Sequence, residues 1–173
     1  MKAALQLLNV LEEWTEALDR ALDIECIYLD FRKAFDTVPH HRLMKKLEAY
    51  GINKETLTWL EDFLVNRQQR VIINGETSKW GRVTSGIPQG SVLGPLLFVI
   101  YINDLPEMIK STVYLFADDT KLFQIINSQE SKKSIQEDLL QLTHWSEATQ
   151  IQRGQVQVTT RRETHWREHW ICA

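Results

Sequence analysis

Cysteine is nearly absent from this 173-residue chain, and neither Cys26 nor Cys172 has the spacing of a metal ligand. No cysteine framework therefore organises the fold, and Cys26, set in an apolar run, reads as a small buried hydrophobe. Long apolar runs are lacking too. The longest, Val92 to Ile102, is broken by Gly94 and Pro95, and a bilayer span needs about 20 such residues. Met1 to Asp19 lacks the basic, apolar, small-residue order of a secretory signal, since Glu12, Glu13 and Glu16 interrupt it. The expectation is a protein that stays inside the cell and off the membrane. No internal repeat is found. An excess of cations is also missing, because the net charge is −3, whereas phosphate-binding domains are usually basic. Between Asp30 and Asp119, however, 11 Lys or Arg face 11 Asp or Glu. If cations neutralise three of those acids, that stretch becomes positive. What remains is ordinary: 43% hydrophobic and 25% charged residues are enough for one globular domain with a real core.

The pattern along the chain alternates helical and strand-like segments. Residues 3–20 place Leu5, Leu8, Val10, Leu11, Trp14 and Leu18 near a helical period. Ile24 to Phe31 is almost wholly apolar, as in a central strand, with Asp30 near its end. His41 to Tyr50 reads as a helix closed by Gly51, and a second helix starts from an Asn53 cap with Leu57, Leu60, Phe63 and Leu64 inward. Arg70 to Gly75 ends in Asn-Gly, a hairpin signal whose partner strand is expected at Lys79 to Val83. Pro95 suits the first turn of a helix through Leu96 to Ile102. Thr112 to Ile125 is two apolar runs folded about Asp118 and Asp119, and a helix over about Lys132 to Trp145 follows. This order implies an α+β fold, with helices packed on one face of a mainly antiparallel sheet.

Three acids carry the chemistry. Asp30 ends a strand, and Asp118 with Asp119 tips a hairpin 88 positions later. Carboxylates flanked by Leu115, Phe116 and Leu122 require a cation or full exposure to water, because burying bare charge is costly. If Asp30 meets the pair across the sheet, three carboxylates can hold two Mg²⁺ about 3.5 to 4 Å apart, the arrangement of phosphoryl transfer. The bland alternative is that adjacent acids merely form a turn.

The wider sequence decides between them. Leu29-Asp30-Phe31-Arg32-Lys33-Ala34-Phe35-Asp36, Ser85-Gly86-Ile87-Pro88-Gln89-Gly90-Ser91-Val92-Leu93-Gly94-Pro95 and Phe116-Ala117-Asp118-Asp119 together resemble the three palm motifs of reverse transcriptases. The match is nearest to non-LTR retrotransposon enzymes of the jockey-like and CR1-like kind, and covers about Leu7 to Trp145. The resemblance implies a polymerase palm over 1–147, with the last fingers helix at 1–20, and leaves 148–173 as an unmatched tail, disordered or from a shifted reading frame.

It further implies an RNA-directed DNA polymerase with Mg²⁺, or Mn²⁺ as substitute, acting on an RNA template, a DNA primer and dNTPs, with nuclear residence. Asp30, Asp118 and Asp119 match the catalytic metal ligands. Phe35 matches the bulky residue that excludes a 2′-hydroxyl, and Pro88, Gln89 and Gly90 match the loop against nucleotide and template. Lys33, Arg67 and Arg70 are candidate phosphate contacts, although solvated faces explain scattered bases equally well. Phe35 could equally serve a core. Apart from that last fingers helix, the fingers, thumb and endonuclease segments of such enzymes are not matched here, so the chain alone is expected to be silent in primer extension. A non-catalytic product of a decayed element, at most a nucleic-acid or protein interaction module, is the alternative. RNA-templated RNA synthesis is a third reading, against which Phe35 speaks. His165 and His169, four apart on a possible helix, could bind zinc but lack a third ligand.

Overall fold

A computed structural model describes residues 2–151, 153–162 and 165–171. In chain order the elements are α1 (Lys2–Asp19), β1 (Asp23–Phe31), α2 (Ala34–Thr37), α3 (His40–Ala49) and α4 (Lys54–Leu64). Four two-residue strands follow: β2 (Gln68–Gln69), β3 (Ile72–Ile73), β4 (Glu76–Thr77) and β5 (Gly81–Arg82). Then come α5 (Gly94–Ile102), a 3₁₀ turn (Leu105–Met108), β6 (Thr112–Phe116), β7 (Asp119–Ile126), α6 (Gln129–Thr149), β8 (Arg153–Arg162) and β9 (His165–Ile171). The chain divides into two compact units, residues 33–103 and residues 1–32 with 104–173. The α+β class expected from the sequence, helices with a mainly antiparallel sheet, is what the structure shows.

The larger unit is built on one antiparallel sheet in the order β6-β7-β1-β8-β9. Its centre is β1, whose apolar run buries Ile24, Cys26, Ile27, Leu29 and Phe31. Burial of residues on both sides of the pleat fits a strand covered on both faces. On one side, Val10 and Ala17 of α1 pack with Ile24, Cys26 and Phe123, and Trp14 meets Phe123 edge-on at 5.8 Å. Trp145 of α6 meets Phe31 at 5.9 Å. Burial pushes the Cys26 thiol pKa up, with Lys121 opposing, so this cysteine stays a neutral hydrophobe.

α6 starts at a Ser128–Ser131 capping box and ends at Gln150 in a left-handed conformation, outrunning its expected range at both ends. Its Asp138, 1% exposed, accepts bonds from the Lys110 and Ser111 amides and from the Ser111 hydroxyl, which compensates the buried charge. The stretch read as a tail supplies two strands of the sheet, with β8 paired along most of β1. His165 and His169 lie on β9, a strand and not the helix considered from sequence. Their side chains, and Cys172, lie outside the described residues.

The smaller unit packs α3, α4 and α5 around Leu43, Leu47, Leu60, Leu64, Leu97, Phe98 and Tyr101, all buried. The Asn53 side chain accepts from the Thr56 amide and starts α4 as the sequence implied. At the Asn74-Gly75 turn the hairpin differs from expectation. Both residues have positive φ, 51° and 87°, as the tightest two-residue turn requires. Ile73 therefore pairs at once with Glu76 and Ile72 with Thr77, and only the lower ladder, Gln68–Arg82 and Gln69–Gly81, uses the expected partner strand. The two registers differ by one residue. The ladder breaks between them, where the Ser78 hydroxyl accepts from the Val71 amide.

Candidate functional site

β1 runs antiparallel to β7 with Leu29 opposite Thr120. Continuing that register by one residue sets Asp30 across from Asp119. Opposed residues on neighbouring antiparallel strands stand about 4.5 to 5.5 Å apart and share a face. Asp118 lies in the adjoining turn, since Phe116 pairs with Asp119 and only Ala117 and Asp118 connect β6 to β7. Ala117 has φ 54°, a region that favours glycine and in which a side chain is strained. The hairpin thus turns one residue earlier than the acid pair suggests: Asp118 is in the turn and half-buried, while Asp119 opens β7 exposed. Asp30 is exposed as well.

A bulge frames Asp30 on its other flank. Leu29 pairs with Val156 but Phe31 with Arg153, so Gly154 and Gln155 of β8 oppose the single residue Asp30. A Cβ on Gly154 would lie 2.9 Å from the Asp30 carbonyl oxygen, 3.0 Å from its Oδ2 and 3.2 Å from the Arg32 amide nitrogen. Sequence reasoning missed Gly154. Its signal was an isolated glycine in an alternating strand pattern, which marks a bulge or a close approach.

The two strands and the turn thus bring all three aspartates to one end of one sheet. Among the described residues, no three His, Cys, Asp or Glu groups are gathered closely enough to hold a metal ion. Like charges repel, and drawing three carboxylates together requires a cation. Their hard oxygen donors, placed on adjoining backbone segments, fit a divalent ion such as Mg²⁺.

In the smaller unit, the loop after Ser85 is tied to the segment after β1. The Ser85 hydroxyl donates to the Asp36 carbonyl, the Gly86 amide to Val38 and the Ile87 amide to Phe35. Gly86 has φ 91°, and a Cβ there would stand 2.7 Å from the Asp36 carbonyl oxygen, so this crossing admits only glycine. The Gly86 carbonyl is bonded twice at 2.8 Å, by His40 Nε2 and by the Arg67 guanidinium. Further on, the Ser91 amide and hydroxyl both donate to the Pro88 carbonyl, at 3.2 and 2.7 Å. With Gly90 at φ 82° this is a type II turn that puts exposed Gln89 at its tip.

The other sequence candidates fall in different settings. Phe35 is half-buried and stacks on Phe98 of α5, centroids 4.8 Å apart at 27°. Lys33 is exposed in a left-handed conformation, and its carbonyl accepts from the Asp36 and Thr37 amides. Arg67 is half-buried and committed to the Leu64 and Gly86 carbonyls, and partial burial lowers its pKa from the ordinary value. Arg70 is exposed over the Trp80 ring.

Motif order, sheet topology and the placement of three acids at one sheet end define a class, and the chain belongs to it: the reverse transcriptase (RNA-dependent DNA polymerase) family, whose profile matches residues 7–154. Proteins of this family use divalent metal ions and work on nucleic-acid template, primer and deoxynucleotides. The chain is 36% identical over 124 residues, 66% of its length, to the probable RNA-directed DNA polymerase from transposon X-element of Drosophila melanogaster. It is 30% identical over 151 residues, 82% of its length, to the RNA-directed DNA polymerase from mobile element jockey of the same species. To the probable RNA-directed DNA polymerase from transposon BS it is 30% identical over 145 residues. The matched segments span 13%, 16% and 15% of those relatives. No helix among the described residues is long and apolar enough to cross a membrane.

Proposed function

We propose that this chain is the palm of an RNA-directed DNA polymerase of a non-LTR retrotransposon, in which Asp30, Asp118 and Asp119 hold the catalytic Mg²⁺ ions. The β1–β7 register, which sets Asp30 across from Asp119 with Asp118 in the adjoining turn, carries this reading. Bound divalent cations would stabilise charge on the attacking and leaving oxygens of an in-line phosphoryl transfer. The protein's share is positioning. The β7 ladder and the bulge at Gly154 fix the Asp30 backbone, and the two-residue turn fixes Asp118.

In the same reading, Phe35 serves as the wall that rejects a 2′-hydroxyl, its ring held in place by Phe98. Gln89, lifted by the Pro88–Ser91 turn with Gly90 at its bend, meets the nucleotide and template. Lys33 and Arg70 contact phosphate, whereas Arg67 acts through the Gly86 carbonyl that it holds. RNA template, DNA primer and dNTPs are the substrates, and a nuclear place of work belongs to the same reading.

The test is a chimera in which residues 24–125 replace the corresponding segment of a working jockey-type enzyme. Primer extension on RNA is expected, and Asp118→Ala should abolish it, since losing a charge-stabilising group of this kind costs roughly 100-fold or more. A folded chimera that extends primers equally well with Asp118→Ala would refute the assignment.

A further inference from the structure

The segment 68–82 has an unusual property: every residue in it is exposed. It is a two-stranded ribbon with water on both faces, and such ribbons are marginal by themselves. Val71, Ile72, Ile73 and Trp80 are each 59 to 65% exposed along it. Exposed apolar groups clustered in this way usually mark an interaction site.

The charge of the ribbon selects the partner. Arg70, Lys79 and Arg82 face a single acid, Glu76, within a chain of net charge −3. One face is organised around the indole. The Gln69–Gly81 pair, extended by one residue, sets Arg70 across from Trp80, and the Arg70 guanidinium lies 4.7 Å from the Trp80 ring centroid. By strand alternation Gln68 and Arg82, themselves a pair, stand one step down on the same face. Between the two registers the returning strand carries one extra residue within 78–80, a bulge that strengthens local twist.

An exposed indole flanked by guanidinium groups matches what an unpaired nucleic-acid strand needs. Its bases stack on an aromatic face, and cations follow its phosphates. A protein partner would be met by the apolar residues but would gain nothing general from three cations.

We infer that the 68–82 ribbon is a docking arm for single-stranded nucleic acid, with Trp80 stacking a base and Arg70, Lys79 and Arg82 contacting phosphates. The inference rests on the polymerase reading above for its partner, but concerns residues other than the three aspartates. Arg67, just before the ribbon, takes no part because its guanidinium is engaged by main-chain carbonyls.

The experiment uses the full chain and a fluorescein-labelled 20-mer as RNA and as DNA, followed by anisotropy over a series of salt concentrations. Trp80→Ala should weaken binding about tenfold, equivalent to about 1.4 kcal/mol, with the salt slope unchanged. Arg70→Gln with Lys79→Gln should lower the magnitude of the slope by about 1.4, at about 0.7 per phosphate contact on single strands. Since these side chains lie outside the core, melting temperatures should match the parent. Equal affinity and slope in the variants would overturn the docking arm while leaving the polymerase reading intact. Absence of binding by the parent chain to either strand would overturn the arm and count against the polymerase reading too. A preference for RNA over DNA, or the reverse, tells which strand the arm serves.

Discussion

Gly154 approaches Asp30 so closely that a methyl group on it would stand 2.9 Å from the Asp30 carbonyl oxygen and 3.0 Å from its carboxylate Oδ2. The first distance is shorter than real carbon–oxygen contacts show and the second is tighter than most of them, and the backbone of a central strand yields little. Gly154→Ala should therefore cost roughly 1 to 3 kcal/mol, seen as a lower urea midpoint with unchanged slope. It should also weaken Mn²⁺ binding, because Asp30 must move. A variant as stable as the parent would show that β8 does not abut Asp30.

Gly86 makes the equivalent approach in the smaller unit, 2.7 Å from Asp36 backbone, and adds a φ of 91° that a side chain resists. Gly86→Ala combines overpacking with backbone strain and should cost about 2 kcal/mol or more. At this chain length that lowers the melting temperature by about 4 to 8 °C. His40→Ala removes only one of two donors to the Gly86 carbonyl, so its loss should be smaller, near 1 kcal/mol. Thermal melts of the two variants check the order.

Phe35 has two roles to separate. Its stack on Phe98 predicts a cavity cost of about 1 to 3 kcal/mol for Phe35→Val. A gate predicts more: in the active chimera, ribonucleotide acceptance relative to deoxynucleotide should rise at least about tenfold, about 1.4 kcal/mol in relative barrier. If stability falls while the ratio stays fixed, Phe35 is core only.

Much of this arrangement was legible in the residues. The apolar run Ile24 to Phe31 declared a central strand because burial on both faces leaves no polar alternation, and Asn53 declared a helix start because its side chain caps Thr56. Helix ends were less legible. α6 runs on to Thr149 because tertiary packing of Trp145 and Thr149 extends it beyond the apolar stripe at Ile135, Leu139 and Leu142. The place of Gln150 to Ile171 could not be read, since pairing of β8 with β1 is a long-range choice that alternation at Val156 and Val158 only hints at. Arg67 looked like any surface base; its commitment to Gly86 depends on a fold-level approach that no local pattern encodes.

The central claim is that Asp30, Asp118 and Asp119 together hold divalent cations, and a Mn²⁺ titration of the full chain, read by the electron paramagnetic resonance of the free ion, tests it most directly. The parent should bind Mn²⁺ weakly, and Asp30→Asn, Asp118→Asn and Asp119→Asn should each lower the affinity about tenfold or more, about 1.4 kcal/mol, with melting temperatures preserved. Equal Mn²⁺ affinity in the parent and all three amide variants would contradict it.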